Sequence, residues 1–192
     1  MLFHLPYVSM HKILLLGPQG SGKGTQAAIL SEKLGIPAIS MGKLLRDARD
    51  SYEEIRIAQE KGELVSYAIV HDVLVERLAR PDCEKGYILD AYPRSESQYR
   101  TTENEVFPTA VIVITVPSEV SMERMRSRAR LEKRDDDTPE AMRRRLEIYE
   151  EETKPIIEKY RSMGLVREVD GTGSVEEVAE RIYNVCITKG EC

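Results

Sequence analysis

Short apolar runs alternate along the chain with longer stretches whose apolar residues recur at helical spacing. Lys12–Leu16, Ile36–Ile39, Gly86–Asp90, Ala110–Val116 and Leu165–Val169 read as strands. Runs rich in Ile, Val and Leu suit strands covered on both faces. Between them, Val70, Val73, Leu74 and Leu78 fall on one side of a helix. Gly35 supplies a stop for the helix that follows the first strand. Thr138-Pro139-Glu140 is a start signal for a helix over Glu140–Tyr149, and Ser174 with Glu177 forms a capping box for the last helix. Strands alternating with helices predict βαβ units and a parallel five-stranded sheet in an α/β fold. With no internal repeat or low-complexity linker, 1–192 reads as a single domain with a core over 10–185. Residues 1–9 precede the first strand and read either as an extension outside that core or as a misplaced start.

Composition narrows the function classes. Of 192 residues, 41% are hydrophobic and 32% charged, with a net charge of -5. That balance describes a globular protein and argues against a general nucleic-acid binder, which is usually basic. The net value hides a dense arginine run between Met122 and Glu147. Cys83, Cys186 and Cys192 form no C-x-x-C pair, so they read as free thiols in a reducing cytoplasm rather than a zinc site or disulfide framework. The apolar run Val111–Val116 is too short to span a bilayer, and residues 1–10 do not resemble a secretory signal. His4, His11 and His71 have no ligand partners at metal-binding spacing.

Gly17-Pro18-Gln19-Gly20-Ser21-Gly22-Lys23-Gly24-Thr25 lies between a predicted strand and a predicted helix. Glycines let successive N–H groups curl around an anion, and the helix N-terminus adds partial positive charge. Lys23 supplies a full charge for β- and γ-phosphates, and Thr25 a hydroxyl. The strict P-loop pattern is not met, because Gly24 occupies the hydroxyl position.

The form G-x-x-G-x-G-K-G-T resembles the phosphate loop of the adenylate kinases and related nucleotide kinases. Gly86-Tyr87-Ile88-Leu89-Asp90-Ala91-Tyr92-Pro93-Arg94, with Gln98 beyond it, is similar to the family signature G-F-L-L-D-G-F-P-R-x-x-x-Q. Ser40-Met41-Gly42-Lys43-Leu44-Leu45-Arg46 resembles S-T-G-D-x-L-R, with Met41 at the usual Thr and Lys43 at the usual Asp. Gly62-Glu63-Leu64-Val65 resembles G-x-L-V. The likeness runs from about Lys12 to Ile182.

This resemblance implies a P-loop NTPase three-layer fold, a helical segment over 40–65 for the acceptor nucleoside monophosphate, and a very short lid over 129–134. It implies ATP contacts at Gly20, Ser21, Gly22, Lys23, Gly24, Thr25, Arg124, Arg128 and Gly173, the last within a turn resembling D-G-T-x. AMP contacts are implied for Met41, Arg46, Glu63, Leu64, Val65, Ala91, Tyr92, Pro93, Arg94, Gln98, Arg134 and Arg145. Lys23, Arg94, Arg128, Arg134 and Arg145 would stabilise the phosphoryl group in flight, and Asp90 would anchor Mg²⁺ through water. Asp136 and Asp137 match acidic residues at the base of the lid. The implied reaction is transfer of a phosphoryl group from ATP to AMP, giving two ADP, by a cytoplasmic monomer without zinc, nucleic-acid or membrane partners. CMP, UMP or GMP as acceptor, or a non-catalytic nucleotide-binding relative, are the alternatives. Arg126, Arg130, Arg143 and Arg144 match no family position and read as solvated surface, and Asp135 as a cap for the next helix.

Overall fold

The computed structural model describes residues 10–132 and 137–187. Strands β1 (His11–Leu16), β2 (Ala38–Ser40), β3 (Gly86–Asp90), β4 (Ala110–Thr115) and β5 (Val166–Asp170) form one sheet in the order β2-β3-β1-β4-β5. Every pairing is parallel, with Leu15 beside Asp90 on one side and Ile112 on the other. The helices are α1 (Lys23–Leu34), α2 (Met41–Asp47), α3 (Glu53–Lys61), α4 (Tyr67–Leu78), α5 (Glu96–Glu105), α6 (Ser118–Glu132), α7 (Pro139–Ile148), α8 (Lys154–Ser162) and α9 (Val175–Ile187).

The strand pleat divides the core in two. Leu14 and Leu16 of β1 point to one face, with Leu89, Val111 and Val113, where Ile55, Leu74, Tyr99 and Tyr160 from α3, α4, α5 and α8 cover them. Ile13 and Leu15 point to the other, with Ile88, Ile112 and Ile114, beneath Ala27, Leu30, Val178 and Ile182 from α1 and α9. Successive residues of a strand face opposite ways, so strands with no polar alternation must be buried on both sides. The three-layer α/β fold expected from the sequence is the observed one.

Element boundaries shift where backbone chemistry intervenes. The second strand begins at Ala38 rather than Ile36. Pro37 lacks an N–H, and its carbonyl instead accepts from Ile88 N at 2.9 Å. The helix expected over Glu140–Tyr149 begins at Pro139, with the Thr138 hydroxyl accepting from Ala141 N. It does not stop at Tyr149 but widens into a π turn over Tyr149–Thr153 and continues as α8. Pro155 cannot donate to the preceding turn, and a wider turn absorbs that loss. The capping box forms as read: Ser174 N donates to Glu177 Oε2 at 2.8 Å and Glu177 N to Ser174 Oγ at 3.2 Å.

Gly62 ends α3 with φ 74, and a Cβ there would sit 2.4 Å from Ala141 O and 2.8 Å from Ala141 Cα on α7. Only glycine lets these two backbones meet. Gly62→Ala combines left-handed strain with a backbone collision, an expected loss of about 2–4 kcal/mol. Thermal unfolding should register it as a drop of roughly 5–15 °C.

Candidate active site

The carboxyl ends of β1 and β3 open into a cleft of about 670 Å³. Open parallel sheets place ligands there, where the strand order switches direction around β1. The phosphate loop joins β1 to α1, with Gly22 capping α1 and Lys23 as its first residue. At Gly20, φ 77, a Cβ would lie 2.3 Å from Ser121 O of α6. The Ser121 hydroxyl also donates to Gln19 O. Ser121 is fully buried, so α6 forms a wall against the loop.

Lys23 Nζ donates to Gly17 O at 2.9 Å and to Pro18 O at 2.7 Å, and Ser21 Oγ lies 3.4 Å away. Burial pushes its ammonium down to about 8; Asp90 opposes that shift, while Arg94 and Arg128 add to it. Asp90 ends β3, buried, with Oδ1 lacking any hydrogen-bond partner. Its Oδ2 lies 3.6 Å from where a Cβ on Gly24 would stand.

Arg94 is held at several points. Its Nε donates to Ala91 O at 2.9 Å, and its main-chain N to Gln98 Oε1 at 2.8 Å. Its carbonyl accepts from Thr153 Oγ1 at 3.0 Å. With the Gln19 carboxamide oxygen turned toward it, both terminal nitrogens of Arg94 lie 3.2 Å from that oxygen. Burial lowers its guanidinium to about 10, against the pull of Asp90 and with the push of Arg145 and Arg128. Ala91 keeps a left-handed backbone, φ 63, where the resembling signature has glycine. A Cβ in that conformation costs about 1–2 kcal/mol.

From α6, Arg128 donates to Asp137 Oδ2 from Nε at 3.0 Å and from Nη2 at 2.7 Å. Arg145 Nη1 pairs with Asp137 Oδ1, and its Nη2 donates to Gln59 O at 3.1 Å. The Asp137 side chain is fully buried. Arg124 Nη1 donates to Gly171 O at 3.0 Å. Positive charge from four elements therefore converges on one concavity, an arrangement that favours polyanions.

Among the predicted site residues, Gly20, Gly22, Lys23, Gly24, Thr25, Met41, Arg46, Glu63, Leu64, Val65, Asp90, Ala91, Tyr92, Arg94, Gln98, Arg124, Arg128 and Arg145 line this cleft. Ser21, Pro93 and Gly173 do not: the first two are buried beneath its surface, and Gly173 sits in the turn that opens α9. Lys133 and Arg134, the last two residues of the expected lid, lie outside the described residues with Asp135, Asp136 and residues 1–9, while 129–132 form the end of α6.

The adenylate kinase family model matches residues 15–165. The adenylate kinase of Xylella fastidiosa (strain M12) is 42% identical over 89% of this chain and 96% of its own. That of Bifidobacterium longum (strain NCC 2705) is 39% identical over 90% and 98%, and that of Stenotrophomonas maltophilia (strain K279a) 40% over 89% and 96%. The chain belongs to the adenylate kinase family.

As a member of the adenylate kinase family, the chain shows site features that motif reading did not single out. Ser121 braces the phosphate loop, Thr153 ties down Arg94, and Gln59 lines the cleft while holding Arg145. Gln59 lies far in sequence from Arg145 and Thr153 from Arg94, and no spacing rule marks these contacts. Asp137 was legible as an acidic residue near the lid, but not as the shared anchor of Arg128 and Arg145. Removing it strands two guanidinium groups in a partly desolvated wall. Asp137→Ala should lower unfolding free energy by about 3 kcal/mol, readable by urea denaturation.

Proposed function

We propose that this chain catalyses reversible transfer of the terminal phosphoryl group of ATP to AMP, giving two ADP, and that the cleft holds both nucleotides at once. The observation that carries this reading is that one concavity is lined by the phosphate loop together with Arg46, Arg94 and Arg145. In this reading the ATP phosphates occupy the loop, with Arg124 at the adenine side and Arg128 on the phosphates. AMP occupies the half built by the segment over 40–65 and the Ala91–Gln98 turn, with Arg46 and Arg94 on its phosphate.

An oxygen of the AMP phosphate attacks the γ-phosphorus, and the bond from that phosphorus to the β–γ bridging oxygen breaks. The attacking oxygen is already ionised and the leaving group departs as the anionic β-phosphate of ADP, so no general base is needed. The transition state is loose, with charge spread over the equatorial oxygens, so positioning and electrostatics dominate. Lys23, Arg94, Arg128 and Arg145 supply the charge, and the family resemblance adds Arg134, which lies outside the described residues. Asp90 fits a hydrated Mg²⁺, because a buried carboxylate oxygen without a hydrogen-bond partner needs compensation. Bound there, the ion would neutralise charge on the phosphate oxygens. Among the described residues no helix is long and apolar enough to cross a membrane. A cytoplasmic monomer whose partners are nucleotides completes this reading.

A panel of AMP, CMP, UMP and GMP in an ADP-release assay with ATP tests the proposal. AMP should be the preferred acceptor; equal rates across the panel would sink that choice, and ATP binding without ADP release would favour a non-catalytic module. Lys23→Met and Arg94→Ala should each lower kcat at least about a hundredfold.

The depressed Lys23 predicts a pH signature. A bound polyphosphate favours the charged ammonium and raises its pKa from about 8. Binding therefore takes up a proton where the free protein has lost it, and ATP affinity falls as pH rises through about 8. Titration calorimetry at pH 8.5 in buffers of different ionisation enthalpy should show that uptake, and Lys23→Met should abolish it.

A further inference from the structure

Gln59 on α3 retains only 9% of its surface, and it lines the cleft. Its two polar ends are in different states. Arg49 Nε donates to Gln59 Oε1 at 2.8 Å. A guanidinium can only donate, so the oxygen faces Arg49 and the amide nitrogen points elsewhere. Among the described residues no group accepts the Nε2 hydrogens. The Gln59 carbonyl accepts from Arg145, which fixes the residue on the cleft wall. A carboxamide with its oxygen anchored and its nitrogen uncommitted offers a donor to whatever fills the cleft.

We propose that Gln59 recognises the acceptor nucleotide: its Nε2 donates to a lone pair on the nucleoside, a ring nitrogen or the ribose 2′-oxygen, and Arg49 positions the carboxamide for that contact. This rests on the phosphotransfer reading above. An uncharged donor suits a neutral acceptor atom, whereas the phosphates are already matched by arginines and Lys23. Gln59 also precedes Gly62 on the same wall as Leu64 and Val65, whose apolar side chains suit a nucleoside rather than a phosphate. Arg49 does not line the cleft, so it acts through Gln59.

The decisive variant is Gln59→Glu. It keeps the size of the side chain and strengthens the tie to Arg49 as an ion pair, yet it removes both donor hydrogens. Gln59→Glu and Gln59→Leu should each raise KM for AMP about five- to tenfold, with kcat and KM for ATP within about twofold of wild type. Arg49→Leu should raise KM for AMP by a smaller factor and add nothing on top of Gln59→Leu. A wild-type penalty for 2′-deoxy-AMP that vanishes in Gln59→Leu assigns the contact to the ribose; one that persists assigns it to the ring.

A wild-type KM for AMP in Gln59→Glu overturns the proposal. So does an equal loss in kcat and in KM for both nucleotides, which would mark a purely structural role. Wild-type turnover is the separate control on the functional reading. If another nucleoside monophosphate is the acceptor, the same series is run with it. If none is turned over, calorimetric binding of AMP to wild type and Gln59→Glu still decides the role of Gln59, with equal affinity refuting it.

Discussion

Positive charge removed from water organises this molecule. Lys23 and Arg94 are both pushed below their ordinary pKa values by burial, and each feels the repulsion of neighbouring arginines. Coulomb repulsion grows as the local dielectric falls, so such a cluster persists only where other groups hold each member in place. Loop carbonyls hold Lys23, the Ala91 carbonyl and Gln98 hold Arg94, and Asp137 holds Arg128 and Arg145. In the proposed reaction the phosphates of the nucleotides would bring negative charge among these groups and relieve that repulsion.

The parts of this design that were legible in the sequence are the local ones. A strand, a glycine loop and a helix start are written in consecutive residues, and so is the carboxylate that ends β3. The strands were found because burial on both faces leaves runs without polar alternation. Their edges were misplaced where a single residue decides pairing, as at Pro37. The ties that aim the arginines were invisible for a different reason. Arg145 and Gln59 are 86 positions apart, and Thr153 and Arg94 are 59 apart. Only the assembled sheet brings such pairs together, and no spacing rule refers to them.

The tie between Gln59 and Arg145 also joins a longer series of contacts along the cleft. Arg49 meets the Gln59 side chain, the Gln59 carbonyl meets Arg145, and Asp137 joins Arg145 to Arg128. The chain of contacts runs from the α2–α3 segment through α7 to α6. Moving α3 would disturb Arg145 directly and Arg128 through the shared carboxylate. Packed networks with discrete partners transmit displacement in this way, provided that two arrangements of them are accessible.

The π turn gives Arg94 a similar dependence on distant structure. Lys154 N donates to Tyr149 O, the wide spacing that defines the turn, just before Pro155. Wide turns rotate the following residues relative to a regular α-helix and recur at functional sites. Here Thr153 closes the turn and directs its hydroxyl at the Arg94 carbonyl. The missing N–H of one proline is thereby linked to the placement of the main chain that carries Arg94. Ala91, three residues before Arg94, holds a left-handed conformation that a glycine would adopt more readily. The ties from Gln98 and Thr153 over-determine this turn, and that is the condition under which a strained backbone persists at a binding site.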